Sequence, residues 1–174
     1  MQTSRRSFLK IGVIGALTLA AGGAIYRVAH RPAQPALFVL DGDARAVLVA
    51  VIPSMLGPVL PADAAARAAA IDGVLGRIDG AIHGLPLATQ KEVQDLFGLL
   101  ALAPARRFLA GVPASWQQAT PEQVDAFLHS WRTHRVGMLV TAYQAMHDLI
   151  LGPWYSDPAN WAAIGYPGPI KELS

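Results

Sequence analysis

Apolar residues recur at helical spacing through most of this chain, and in no stretch do they alternate with polar ones for long enough to make a strand. A half-buried strand repeats every two residues and a helix face about every 3.6, so the pattern constrains the chain to helices. Val47, Leu48, Val51 and Ile52 form one stripe, which Asp41 or Asp43 can cap and which reaches about Ile52 before Pro53, Gly57, Pro58 and Pro61. Ile71, Val74, Leu75, Ile78 and Ile82 form a second, starting near Asp63 and closed by Gly84 and Pro86. Thr89 precedes a third, with Val93, Leu96, Phe97, Leu99 and Leu100, which Pro104 stops; a short helix about Arg106–Leu109 ends at Gly111. Thr120-Pro121-Glu122-Gln123 reads as a helix start, with Thr at the cap, Pro at the first position and Gln at the capping-box position. From Val124 to Ile150 the spacing predicts one helix over 121 to about 150, kinked at Gly137 and ended by Gly152-Pro153. The fold class is all-α: a small helical bundle, an N-terminal signal helix and an irregular C-terminal tail rich in aromatics, Pro and Gly.

The signal rests on residues 4–10, Ser-Arg-Arg-Ser-Phe-Leu-Lys. Arg5 and Arg6 make the pair that defines a twin-arginine export signal, and Ser4, Phe8, Leu9 and Lys10 are its usual flanks. An apolar run from Ile11 to Tyr26 follows, closed by Arg27. As a helix that run spans about 24 Å, short of the roughly 30 Å hydrocarbon core. Gly12, Gly15, Gly22 and Gly23 weaken it further as a permanent span. No clean small-x-small cleavage site follows it, so a removable signal and an uncleaved anchor both stay open. The expected division is a signal segment at 1–31, a linker at 32–42 with Pro32 and Pro35, and one helical domain at 43–174 that includes a docking tail at 152–174.

Charge follows the same division. The chain carries 14 Lys and Arg against 12 Asp and Glu, yet Arg5, Arg6, Lys10, Arg27 and Arg31 all lie in the signal. Without it, nine basic residues face twelve acidic ones, a net charge of −3, and the basic footprint that nucleic-acid binding needs is missing. There is no cysteine, which excludes disulfides, thiolate metal sites and Cys-x-x-Cys-His haem attachment. Few charges and much Ala, Leu, Val and Gly suggest a surface that buries some of its apolar area against a partner.

Motifs for chemistry are sparse. His30 belongs to the signal or linker and His83 to a helix end. His129 and His134 are five apart, so they do not share a helical face, and on one continuous helix His134 and His147 are too far apart to hold one ion. His147 and Asp148 are sequence neighbours and should point to different faces. No Gly-x-Ser-x-Gly elbow surrounds a serine, and no glycine-rich phosphate loop follows a strand. No catalytic residue, metal ligand or cofactor-binding residue is therefore assigned.

Residues 154–169 stand apart. They place Trp154, Tyr155, Trp161 and Tyr166 in a stretch that reads as too broken for a core helix and is fixed at its end by Pro167, Gly168 and Pro169. Rigid aromatics on a constrained path bury area at little entropic cost, which suits partner docking. Folding back onto the same domain is the competing reading, and the residues alone leave the two open.

The tail resembles that of the gluconate 2-dehydrogenase subunit 3 family, the small subunits of membrane-bound, flavin-dependent sugar and polyol dehydrogenases. The matching residues are Trp154-Tyr155, Asp157, Trp161, Ile164 and Gly165-Tyr166-Pro167-Gly168-Pro169, together with the twin-arginine signal and the Thr-Pro-Glu helix start. The resemblance implies a subunit with no cofactor and no catalytic residue of its own. It would bind a large FAD-carrying subunit of the glucose–methanol–choline oxidoreductase type, help it mature and carry it through the twin-arginine translocase into the periplasm. A cytochrome c subunit often passes electrons onward there. The complex would associate with the inner membrane, through its other subunits or through an uncleaved signal helix. A stand-alone periplasmic enzyme using His129, His134 or His147, and a helical membrane anchor or scaffold of unrelated function, are the alternatives.

Overall fold

Asp41 starts the first helix by accepting the Ala44 N–H at 2.8 Å, which satisfies one of the orphan donors at a helix N-terminus. The structure is a computed structural model that describes residues 37–168. Ser4, Arg5, Arg6, Phe8, Leu9 and Lys10 of the export signal lie outside the described residues, as does Pro169. Among the described residues there are six α-helices, short 3-10 turns and no strand, so the chain is all-α.

Helix α1 spans Gly42–Leu56 and buries Ala44, Val47, Leu48, Val51, Ile52 and Leu56. It is the central element, packed against α2 (Ala64–His83), α3 (Leu87–Ala101), α5 (Pro121–Arg132) and α6 (Gly137–Tyr155). With the 3-10 turn Gly57–Val59 it is long and apolar enough to cross a membrane by length and composition, but its buried face is the middle of the core. The sequence predicts a stop at Pro53, whereas the helix runs through it. Proline removes its own hydrogen bond, here to the Val49 carbonyl, and its ring crowds that carbonyl, which bends a helix without always ending it. Burial of Leu56 beyond it keeps the last turn in place. The core also begins earlier than the predicted domain start: Phe38, in the expected linker, is 2% exposed and packs on Phe97 with ring centres 6.3 Å apart.

Helix α2 is capped by Asp63, whose carboxylate accepts the Ala66 N–H at 2.8 Å, and buries Val74, Leu75, Ile78 and Ile82 as the spacing predicts. Helix α3 starts at Leu87, so Thr89 lies in its first turn and caps nothing. Gln90 organises that start. Fully enclosed, it accepts the Phe38 N–H at 3.1 Å and donates to the His83 and Leu85 carbonyls at 3.2 and 2.9 Å. One side chain thus joins the incoming strand of chain, the end of α2 and the beginning of α3. Leu99, predicted on the apolar side, is exposed, while Val93, Phe97 and Leu100 are buried. Helix α3 ends because Leu102 turns extended; Pro104 then sits in the first turn of α4 (Ala103–Phe108), where its missing N–H has no intrahelical role.

Helix α5 opens on the predicted capping box: Thr120 Oγ1 accepts the Gln123 N–H at 3.4 Å and Gln123 Oε1 accepts the Thr120 N–H at 3.2 Å. Its buried Trp131 donates to the Leu109 carbonyl at 2.9 Å, and Trp116 donates to that of Leu100 at 2.8 Å. Phe127 lies between these two indoles, 5.6 Å from Trp116 and 4.8 Å from Trp131, edge to face. The aromatic cluster therefore also satisfies carbonyls at the ends of α3 and α4.

The single helix predicted over 121–150 is two helices. Helix α5 stops at Arg132, Val136 is extended, and α6 starts at Gly137. The polar run Arg132-Thr133-His134-Arg135 makes the turn, with Thr133 Oγ1 donating to the His129 carbonyl at 3.1 Å and His134 Nδ1 accepting the Val136 N–H at 3.0 Å. Continuous, the helix would place half of its apolar stripe beyond the reach of α1. Folded back, α6 packs on α1, α2 and α5 and buries Met146 and Ile150. It also runs past Gly152-Pro153, the predicted terminator, to Tyr155.

Candidate functional site

The continuation of α6 decides where the tail aromatics lie. Trp154 sits in the last turn of α6 and is 3% exposed, so the stretch is not too broken for a core helix at this position. Pro153 forfeits one hydrogen bond, to Leu149, and burial of a whole indole outweighs it. Tyr155 is half-buried at the helix end. Beyond it the chain is irregular, with 3-10 turns at Pro158–Asn160 and Ala162–Ile164.

Side chains tie this segment down at several points. Arg77 on α2 donates through Nε to the Pro153 carbonyl at 3.0 Å and pairs with Asp157 at 3.0 Å. The guanidinium thus serves the helix C-terminus and the acidic residue after it together. Asp157 also accepts the Ala159 N–H at 3.0 Å, and Asn160 Nδ2 donates to the Trp154 carbonyl at 2.7 Å. Trp161 Nε1 donates to the Tyr155 carbonyl at 2.7 Å, and the Tyr166 N–H returns to the Trp161 carbonyl at 3.0 Å. The Trp161 and Tyr166 rings then meet edge to face, 5.2 Å apart.

Two glycines permit that closure. Gly165 has φ +69° and Gly168 φ +95°, and a Cβ at Gly168 would lie 3.2 Å from Trp161 Cζ3. Trp161 is half-buried beneath the turn, whereas Tyr166 is 46% exposed and Ile164 and Pro167 are exposed beside it. The predicted docking residues therefore separate: Trp154 belongs to the core, Tyr155 and Trp161 support the turn, and Tyr166 and Pro167 present a surface. Among the described residues, Trp154 Nε1 is buried without a hydrogen-bond partner.

The four histidines among the described residues fall in three places. His83 holds its Nδ1 2.8 Å from the Asp79 carbonyl at the end of α2. His134 is in the α5–α6 turn. His129 and His147, on α5 and α6, line one cleft of about 400 Å³ with Ser54, Asp125, Arg132 and Tyr143. The sequence missed this pairing because it follows from the break at 133–136, which brings α6 back along α5. His147 and Asp148 do not part as predicted: His147 Nδ1 is 3.0 Å from Asp148 Oδ1. Both side chains can swing to the outer edge of the helix, where the short, exposed carboxylate reaches the ring. No group of three or more His, Cys, Asp or Glu is arranged to hold a metal ion among the described residues.

A larger, mostly apolar groove of about 670 Å³ adjoins the cleft, sharing Ser54 and Asp125 with it. Val49, Ala50 and Pro53 of α1 form one wall, Trp116 and Val124 the other, and Arg45 and Arg67 stand at its rim. No sequence signal pointed to it, because its α1 wall lies outside the buried stripe of that helix and meets Trp116 and Val124 only through the tertiary packing. Elsewhere, Phe108 is 81% exposed and Met138 73%. No protein-family model, curated protein or solved structure matches the chain.

Proposed function

We propose that this chain is the non-catalytic small subunit of a periplasmic, FAD-dependent dehydrogenase complex. Its role is to assist maturation of the flavin-carrying large subunit and to carry it through the twin-arginine translocase. The observation that carries this reading is a combination within one sequence: an intact twin-arginine motif at residues 4–10 and no motif for any cofactor. The twin-arginine route moves folded proteins, typically ones that acquired a cofactor first. A folded passenger without its own signal reconciles the two. The resemblance of the tail to small subunits of flavin-dependent sugar and polyol dehydrogenases points to the same kind of passenger, a glucose–methanol–choline-type oxidoreductase, with a cytochrome c subunit as a further neighbour.

The exposed apolar side chains are consistent with a docking role. Tyr166 and Ile164 stand on a turn braced by Trp161, and Phe108 projects from the end of α4 with Leu99 and Leu102 exposed nearby in sequence. The decisive test replaces Arg5 and Arg6 with Lys together and measures dehydrogenase activity in periplasm and cytoplasm. The expected result is loss of this chain and of the flavin subunit from the periplasm. A flavin subunit that still arrives has its own route, and the carrier role fails. Substrate turnover by the purified chain alone would favour the stand-alone enzyme instead.

A further inference from the structure

We propose that the cleft between α5 and α6 is a binding site for a small oxyanion, a carboxylate or phosphate, whose binding takes up a proton at His147. The inference stands whether or not the chain has a flavin-carrying partner. Three groups converge on this one cleft: Arg132 and His129 from α5 and His147 from α6. Arg132 has no carboxylate within ion-pair distance among the described residues, although five other basic side chains do: Arg45, Arg77, His83, Lys91 and His147. Its guanidinium fork is thus available for a ligand, and a fork matches an oxyanion geometrically. Ser54 and Tyr143 add hydroxyl donors, while Met55 and Leu128 supply the apolar part of the lining.

The proton follows from the contacts of the His147 ring. Its Nδ1 faces the Asp148 carboxylate at 3.0 Å. An ionised carboxylate only accepts, so the ring hydrogen sits on Nδ1. In a neutral imidazole the remaining nitrogen, Nε2, is then a bare lone pair and repels an oxyanion. Protonation from solvent turns Nε2 into a donor, with Asp148 balancing the added charge. The Tyr143 ring packs beside that of His147, with the ring centres 6.0 Å apart. The charged and titratable groups facing the rings are Asp125 and Arg132 on α5 and Tyr143 and Asp148 on α6; α1 contributes only Ser54 and Met55. With both imidazoles protonated, Arg132, His129 and His147 outnumber Asp125 and Asp148, and the lining is net positive.

The test uses the full-length chain, with inorganic phosphate and acetate as separate probes, and follows the histidine ring proton resonances by NMR. His83 and His134 serve as internal controls, since neither lines the cleft. The expected result is a saturable shift of the His129 and His147 signals, with acetate, whose charge is constant over this range, binding more tightly near pH 6 than near pH 8, as imidazole protonation requires. Saturation with phosphate, with acetate or with both identifies which oxyanion the cleft prefers. Arg132→Gln should weaken binding roughly 10- to 100-fold, the effect of removing a charge-assisted hydrogen bond. Equal drift of the His129 and His147 signals with those of His83 and His134, absence of saturation with either probe, or acetate binding that is no tighter at the lower pH would overturn the proposal. The wild-type titration decides this without the variant, so a poorly folded Arg132→Gln protein does not obscure the answer.

Discussion

Replacing Trp154 by Ala and, separately, Tyr166 by Ala should affect different properties of the chain. Trp154 is enclosed at the end of α6, and truncating a buried indole costs about 3–5 kcal/mol of folding stability. Its Nε1 is buried without a partner among the described residues, and removing such an orphan donor recovers part of that loss. The net effect should therefore fall at the lower end, about 3 kcal/mol. An unfolding entropy of about 2.1 cal/mol/K per residue over about 130 residues gives roughly 0.27 kcal/mol/K, so Tm should fall by about 11 °C. Tyr166 is nearly half exposed and touches the core segment through Trp161 alone among the aromatic pairs, so its loss removes one edge-to-face contact of about 0.5–1.5 kcal/mol, or roughly 2–5 °C. If Tyr166 anchors a partner, its removal costs about 2–4 kcal/mol of affinity. The assays are thermal unfolding of the lone chain and its affinity for the flavin subunit. A Trp154→Ala protein as stable as wild type would refute the account of α6 as a helix that continues through Pro153 into the core. A Tyr166→Ala protein that loses as much stability as Trp154→Ala would show the turn to be core and not a display surface.

Gln90→Leu should destabilise the chain by about 3 kcal/mol in denaturant titration, since it strands the buried Phe38 N–H and two carbonyls; a shift under 1 kcal/mol would mean that water replaces the amide (both figures from the cost of unmet buried hydrogen bonds). Gly168→Ala forces a left-handed backbone onto an L residue beside Trp161 and should lower stability by about 1–2 kcal/mol and change tryptophan fluorescence; an unchanged spectrum would show that the turn does not brace Trp161. The Thr120 hydroxyl, then the Glu122 backbone N–H, hold the Glu122 carboxyl below the ordinary glutamate range, against a small opposing effect of desolvation. A carboxyl depressed by folding adds stability above its unfolded value and loses it as the pH falls through its folded value. Glu122→Gln should accordingly flatten the acid limb of the stability curve slightly, and an identical acid limb would remove Glu122 from that account.

The local rules written in the sequence held wherever neighbours in the chain determine the outcome. Asp41, one of the two candidates with Asp43, and Thr120 cap their helices, and Asp63, expected near a helix start, caps the second, because a cap is a contact over three residues. The buried faces of α2 and of α5 follow from 3.6-residue spacing alone. Proline and glycine were weaker guides. Pro53 and Pro153 each remove one hydrogen bond and crowd the carbonyl four residues back, and the burial of Leu56 and Trp154 beyond them offsets this, which only the tertiary packing reveals. The division of 121–155 into two helices has no proline at the break and was legible only as a kink at Gly137, where α6 starts, since a full turn there gains nothing until α6 has a surface to fold back on. The cleft of His129 and His147 is a consequence of that turn, as are the separate environments of Trp154 and Tyr166. Sequence by itself determined an all-helical chain and most of its caps, because those depend on backbone and near neighbours. Tertiary structure decided which aromatics are core, which are surface and which histidines meet, because these depend on where a helix stops and what it then packs against.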